Sequence, residues 1–399
     1  MSSHSGSESD WVGSATDLLP ADGRGGALAG RVWDPAVGGP TVVAVREGGV
    51  WGVAAAFPTM RDLCEEADPA LALAAAKGVW LGSVDDILAN SAASGRDPLN
   101  PWFLAPIDLQ VIKAAGVTFA ASMIERVIEE RLRGDPASAA EVRDLIRAEV
   151  GPELGSLVPG SVGATALKRL LIDKGLWSQY LEVGIGPDAE IFTKAPVLSA
   201  VGTGEAVGVL AASSWNNPEP EVAVLVQSTG RIVGATLAND VNLRDIEGRS
   251  ALLLPKAKDN TASCAVGPLV RFFDSSFSLD SVRGMSVRLR VDGADDFHLD
   301  EISDMKKISR DPADLVAQLI GTQHQYPDGA ILLLGTMFAP VADRGEPGQG
   351  FTHARGDVVR ISSVELGTLV NVVLTSEECP PWGYGIAALM RNLAHRQLL

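Results

Sequence analysis

Two apolar, valine-bearing runs joined by a turn constrain this chain more than any other feature. They are Glu221-Val222-Ala223-Val224-Leu225-Val226 and Ile232-Val233-Gly234-Ala235-Thr236-Leu237, with Ser228-Thr229-Gly230 between them. Short apolar runs rich in β-branched residues and bounded by turn residues read as buried strands, here paired as a hairpin. Pro220 has no amide to donate and suits the first residue of the leading strand. Glu219 and Glu221 flank it, and residues two apart on an extended chain project to the same side. The second run continues into Asn239-Asp240-Val241-Asn242-Leu243-Arg244-Asp245, so the hairpin carries Asp240 back towards both glutamates. Three carboxylates converging at a buried mouth cannot all stay ionised without a cation. Oxygen donors with no local His or Cys suit a hard ion, Mg²⁺ first, with Mn²⁺ or Ca²⁺ as substitutes.

The rest of the composition narrows the function classes. A net charge of −17 over 399 residues argues against nucleic-acid and anionic-membrane partners, which require clustered Lys and Arg. Cys64, Cys264 and Cys379 are odd in number and lack metal spacing, which suggests a reducing, cytoplasmic setting. No run of eighteen apolar residues occurs, and Met1 to Asp10 is Ser-rich and acidic, so neither a membrane span nor a secretion signal is expected.

Taken in order, residues 1–25 read as a flexible leader and 26–105 as a smaller N-terminal α+β domain. Short strands are expected at Arg31–Trp33, Thr41–Val45 and Val50–Val53. Helices follow, capped by Thr59 and by Asp68 with Pro69 at the first helical position, and 91–100 reads as a polar linker. From Ala114 the pattern becomes helical, with Phe119, Met123, Ile124, Val127, Ile128 and Leu132 at three- and four-residue spacing. Further helices are expected over 137–150, 164–174 and 312–320, and strands elsewhere.

Glu-x-Glu at 219–221, then Asn239-Asp240-x-x-x-Arg244-Asp245, Lys258 and Gly267-Pro268 together resemble the fumarylacetoacetate hydrolase superfamily, from about Ile107 to Val373. The resemblance implies an α+β fold, β-rich with mixed sheets, over a catalytic domain of 106–399. It also implies homo-oligomers (a dimer or tetramer), and chemistry on small 2-oxo acids chelated to Mg²⁺. By resemblance Glu219, Glu221 and Asp240 bind the metal and Lys258 lies beside the substrate. Lys194, in the Phe192-Thr193-Lys194 strand, neutralises carboxylate charge near the substrate, with Asn239 beside it, and Glu190 is a further catalytic candidate. Thr336, in Gly335-Thr336-Met337-Phe338, binds the substrate carboxylate, although Met337 replaces the family's proline. Asn242, Arg244 and Asp245 are expected to orient Asp240. His324 and His353 flank the Thr336 loop and read as satisfied loop histidines.

The most informative departure is at 118–125. Hydrolases of the family tend to carry a His–Glu pair there to activate water. Here Glu125 remains as acid or base, but Ser122 stands in the histidine's place, and a Ser hydroxyl is not a base near neutral pH. The expected activity is therefore a Mg²⁺-dependent hydro-lyase of a 2-keto-3-deoxy-pentonate, giving 2,5-dioxopentanoate through an enolate on the metal, with Lys258 or Glu125 as base. Ser122 would hydrogen-bond a substrate hydroxyl. An acylpyruvate- or fumarylacetoacetate-type C–C hydrolase is the alternative, and a non-catalytic metal-binding relative a third reading.

Overall fold

The computed structural model describes residues 10–399 except 134, 136–143, 145–156, 176, 345–347 and 349. Its centre is an eleven-stranded sheet in the order Val79–Gly82, Gly49–Gly52, Gly39–Arg46, Leu28–Asp34, Cys264–Phe272, Ile232–Asp240, Pro220–Val226, Ala330–Leu333, Val111–Gly116 and Glu190–Ala195, with Trp102–Leu104 paired beside Leu28–Asp34. A five-stranded sheet runs His298–Asp304, Ser286–Asp292, Val358–Ser363, Gly367–Thr375 and Ala206–Val209. Each sheet holds one parallel pair among antiparallel ones: Ala330–Leu333 with Val111–Gly116, and Gly367–Thr375 with Ala206–Val209. The fold is thus α+β with mixed sheets, as expected.

The strand Pro220–Val226 is buried throughout, and apolar from Val222 on, because both of its faces are covered. Val222, Val224 and Val226 join a core shared with Val287, Leu289 and Val359 of the smaller sheet. Ala223 and Leu225 pack on the other side with Met60, Leu63 and Leu73 of the Met60–Cys64 and Pro69–Ala75 helices. Those helices start as expected: Thr59 accepts from the Asp62 amide at 3.1 Å and Asp68 from that of Leu71 at 3.0 Å. Strands from 26–105 continue the central sheet directly, with Leu28 opposite Arg271 and Ala29 opposite Val270.

Two expectations need correction. Of the leader expected over 1–25, residues 1–9 lie outside the described residues, but the part from Asp10 is packed. Val12, Leu18 and Leu19 are buried against Leu28, Phe103 and Val370, because these apolar side chains have a sheet face to cover. The helix expected from Ala114 begins at Ala120, with Phe119 as its N-cap. Ala114–Gly116 belong to a strand, and Val117, at φ 57°, breaks the chain between the two. The helix expected over 137–150 lies outside the described residues save 144. Val162–Asp173 and Pro312–Leu319 are helical as read.

Candidate metal and substrate site

The hairpin register builds the carboxylate cluster. Pro220 lies opposite Asn239 and Glu221 opposite Ala238, which sets Glu219 across from Asp240, and the Asp240 amide donates to the Glu219 carbonyl at 2.9 Å. Side chains directly opposite or two apart share one face of a strand pair. Glu219, Glu221 and Asp240 therefore converge, each buried, with ligand oxygens within 4.8 Å of one another. Pro220, between the two glutamates, faces the other way.

Cations thread through this cluster. Lys258, the last residue of the short helix Leu254–Lys258, pairs with Glu219 and lies 3.2 Å from Asp240. Lys194 Nζ sits 2.9 Å from Asp240. Arg126, on the helix Ala120–Leu132, pairs with Glu219, with Glu129 at 2.5 Å and with Glu247 at 3.1 Å. Arg244 holds Glu129 at 2.7 Å and Glu125 at 3.0 Å, and its guanidinium lies 4.3 Å over the Trp215 ring.

Charge balance tests whether these residues fit a metal. Six buried carboxylates (Glu125, Glu129, Glu219, Glu221, Asp240, Glu247) face four buried cations (Arg126, Lys194, Arg244, Lys258). Fully ionised, these ten groups carry two negative charges in excess, which one divalent cation neutralises, and the half-buried Glu190 beside them adds a further carboxyl. The titration behaviour agrees. Burial, then the charges of Asp240 and Glu219, hold the Glu221 carboxyl well above its usual range. Burial pushes Glu247 up to about 7 against the pull of Arg126. Burial would raise Asp240 too, but Lys194 and Lys258 outweigh it and hold it below the usual range. With burial opposing, Asp240, Glu219 and Glu247 still hold the Lys258 ammonium above the usual lysine range. Three buried oxygen donors beside an excess of negative charge suit a hard divalent ion.

Two small cavities adjoin the cluster. One, of about 20 Å³, is lined by Glu190, Phe192, Glu219, Glu221, Asp240 and Lys258, among others. The second, of about 10 Å³, is lined by Ser122, Glu125, Glu129, Asn217, Arg244 and Phe338, among others. Arg126, Glu219 and Thr336 border both. Burial raises the Glu190 carboxyl above its usual range. Ser122 donates to the Phe119 carbonyl at 3.0 Å and Thr336 to that of Pro220 at 3.1 Å; both hydroxyls keep acceptor lone pairs.

Two residues expected at the substrate sit elsewhere. Asn239 alternates to the opposite side of its strand from Asp240 and borders neither cavity. Its Oδ1 accepts from the Glu219 amide at 3.1 Å, so it shapes the backbone that presents Glu219. Lys194 is fully buried behind Asp240, donating to the Lys258 carbonyl and, at 3.3 Å, to that of Val241. It is a counter-ion rather than a substrate contact. Of the loop histidines, His353 is buried against Asp357 at 3.0 Å, and His324 is exposed in a separate groove with Asp188 and Gln318. Asn239→Ala should leave the Glu219 amide unpaired and cost about 1–3 kcal/mol, read as a lower denaturant midpoint at unchanged m-value; an unchanged midpoint would remove this role.

Sequence reasoning missed Arg126, Glu129 and Glu247 as members of the site. A signal existed for the first two. Ser122, Glu125, Arg126 and Glu129 recur at i, i+3, i+4 and i+7, as regular a stripe as the apolar one beside it. Polar stripes usually face water, but this helix is buried on both sides. Met123, Val127 and Ile128 pack against Leu167, Leu171 and Leu181, and the polar stripe turns to the carboxylates.

Comparison with known proteins agrees with this geometry. Residues 187–374 match the model of the fumarylacetoacetate (FAA) hydrolase C-terminal family. A 2-dehydro-3-deoxy-D-arabinonate dehydratase of Saccharolobus solfataricus is 34% identical over 187 residues, which is 46% of this chain and 58% of that protein. A "probable 2-keto-3-deoxyxylonate dehydratase" of Haloferax volcanii is 32% identical over 197 residues, 49% of this chain and 64% of that protein. The matches thus span less than two thirds of either relative. A solved structure of 2-keto-3-deoxy-D-arabinonate dehydratase complexed with magnesium and 2,5-dioxopentanoate shares the fold, with a TM-score of 0.60 at 21% identity over 87% of this chain and 99% of that one. Glu190, the three carboxylates, Lys258 and Thr336 lie within the segment that matches the FAA hydrolase C-terminal family, and Ser122, Glu125, Arg126 and Glu129 lie before it.

Proposed function

We propose that this protein is a Mg²⁺-dependent dehydratase of a 2-keto-3-deoxy sugar acid, a hydro-lyase converting a 2-keto-3-deoxy-pentonate to 2,5-dioxopentanoate. The observation that carries the reading is a three-carboxylate cluster fit for a divalent ion, opening on cavities whose described lining residues include hydroxyls, carboxylates and Lys258 but no histidine. The names of the two relatives, and the magnesium and product in the solved complex, support the same substrate class. Mn²⁺ and Ca²⁺ as substitutes, a homodimer or homotetramer, and a cytoplasmic location are parts of the same proposal. Among the described residues no helix is long and apolar enough to cross a membrane.

When bound, a divalent ion here polarises the 2-keto group and acidifies the C3 protons. The protein's own groups supply the proton transfers. Lys258 borders the cavity with Glu190 and is placed to take a C3 proton. It does so only when Glu219 and Asp240 share their charge with a cation, since those two hold its own proton. Glu125, with Ser122 and Thr336 in the second cavity, faces the place for the C4 hydroxyl. Breaking C4–O there, with Glu125 delivering a proton to the leaving oxygen, releases water, and tautomerisation completes the 2,5-dioxo acid. Ser122 accepts from or donates to a substrate hydroxyl and leaves Glu125 without the histidine that pairs with it in the family's hydrolases. That separates this reading from the hydrolase.

Incubation with Mg²⁺ and a panel of 2-keto-3-deoxy-pentonates and acylpyruvates, with products weighed by mass spectrometry, tests the choice. Loss of one water from the former and negligible cleavage of the latter are expected, and Ser122→His should depress dehydration. Rapid splitting of acylpyruvates with the 2-keto-3-deoxy acids untouched would establish the hydrolase instead.

A further inference from the structure

Both oxygens of Glu219 are taken by cations: Oε1 by Arg126 Nη2 and Oε2 by Lys258 Nζ. Arg126 is anchored independently at its other terminal nitrogen, where Nη1 meets Glu129 at 2.5 Å and Glu247 at 3.1 Å. Its guanidinium therefore has one fixed corner and one edge resting on a candidate metal ligand. That edge lies at the boundary of both cavities, which Arg126, Glu219 and Thr336 share. The other three cations of the cluster are committed elsewhere: Lys194 to Asp240, Arg244 to Glu125 and Glu129, and Lys258 to Glu219 and Asp240.

We propose that Arg126 is an exchangeable counter-ion that enforces binding order. A divalent cation that takes Glu219 as a ligand competes with Nη2 for the same carboxylate and releases it. Nη1 stays on Glu129 and Glu247, so the freed edge keeps its place and receives the carboxylate of the 2-oxo acid. Guanidinium N–H groups match a carboxylate in geometry and charge. Before the exchange, an anionic substrate meets the negative charge of Glu219, Glu221 and Asp240 while Nη2 of Arg126 is held by Glu219. After it, both the charge and the donor are in its favour, so metal binds before substrate. The proposal rests on the metal-dependent 2-oxo acid reading above and adds to it a specificity residue and a sequence of events.

The test separates metal binding from acid binding without using turnover. Arg126→Gln removes the charge; Arg126→Lys keeps a charge for Glu129 and Glu247 but gives up the second edge. Mn²⁺ added to metal-stripped protein, followed by electron paramagnetic resonance, should bind both variants at least as tightly as the wild type. Pyruvate, a 2-oxo acid with no 4-hydroxyl to lose, should bind the Mn²⁺-loaded variants roughly 10- to 100-fold more weakly by calorimetry, the worth of a charged hydrogen bond. A residue that only props the fold would weaken both affinities or neither. Should Arg126→Gln fail to fold, Arg126→Lys decides alone. Weaker Mn²⁺ binding with unchanged pyruvate affinity overturns the exchange and leaves the metal site standing. A wild type that binds no Mn²⁺ overturns the metal reading and the exchange with it.

Discussion

Lys258→Ala should lower kcat by roughly 10²- to 10⁴-fold, the range for loss of a proton-transfer group, while Mg²⁺ still binds. The side chain is buried, pairs with Glu219 and lies 3.2 Å from Asp240. Two of its neighbours are thus candidate metal ligands, and it occupies the wall of the cavity they open on. Truncation removes a charge that competes with the metal for those carboxylates, so metal affinity should hold or rise. The fold loses one buried cation from a cluster already rich in acid, and Mg²⁺ should restore part of the lost stability by binding only the folded state. An effect confined to KM would make Lys258 a uniform binding contact instead. Measuring kcat and KM separately at saturating Mg²⁺ distinguishes the two.

Glu221→Gln should abolish turnover and weaken Mg²⁺ binding more than roughly 100-fold, beyond what loss of an outer partner costs, with the fold intact. Glu221 is the one member of the three for which no ion pair is found among the described residues. It accepts from the Gly335 amide at 2.6 Å, and a glutamine carbonyl keeps that bond. Asp240→Asn makes an instructive contrast. Asp240 balances Lys194 and Lys258, so its neutralisation strands buried ammonium charge and should cost about 3–5 kcal/mol in addition to the metal. Calorimetric Mg²⁺ titration beside thermal unfolding of the metal-stripped proteins separates the two. Equal Mg²⁺ affinity in the wild type and both variants would remove the metal role.

The central hairpin and its three carboxylates were legible because alternation along a strand and register across a pair are local properties. Glu219, Glu221 and Asp240 needed only a turn and a pleat to converge. Ser122 and Glu125 were legible through the family resemblance, and their shared helix face follows from three-residue spacing. Arg126, Glu129 and Glu247 were not, because their burial depends on what covers the helix, and the packing of Leu167, Leu171 and Leu181 against its other side is a long-range fact. Lys194 and Asn239 were placed at the substrate from motif alone. Strand alternation puts Asn239 behind Asp240, and only the three-dimensional path of the chain shows that Lys194 is enclosed by the carbonyls of Val241 and Lys258. Residues 10–25 read as a leader because they follow a Ser-rich, acidic start, yet Val12, Leu18 and Leu19 suffice to pin them.

The most direct measurement is metal-dependent water loss. Protein stripped of metal and given a 2-keto-3-deoxy-pentonate should return the substrate unchanged. Added Mg²⁺ should then yield a product one water lighter, along a saturation curve that matches the Mg²⁺ binding isotherm. Dehydration at full rate in the stripped protein, or saturating Mg²⁺ binding with no 2-oxo acid turned over, would contradict the account.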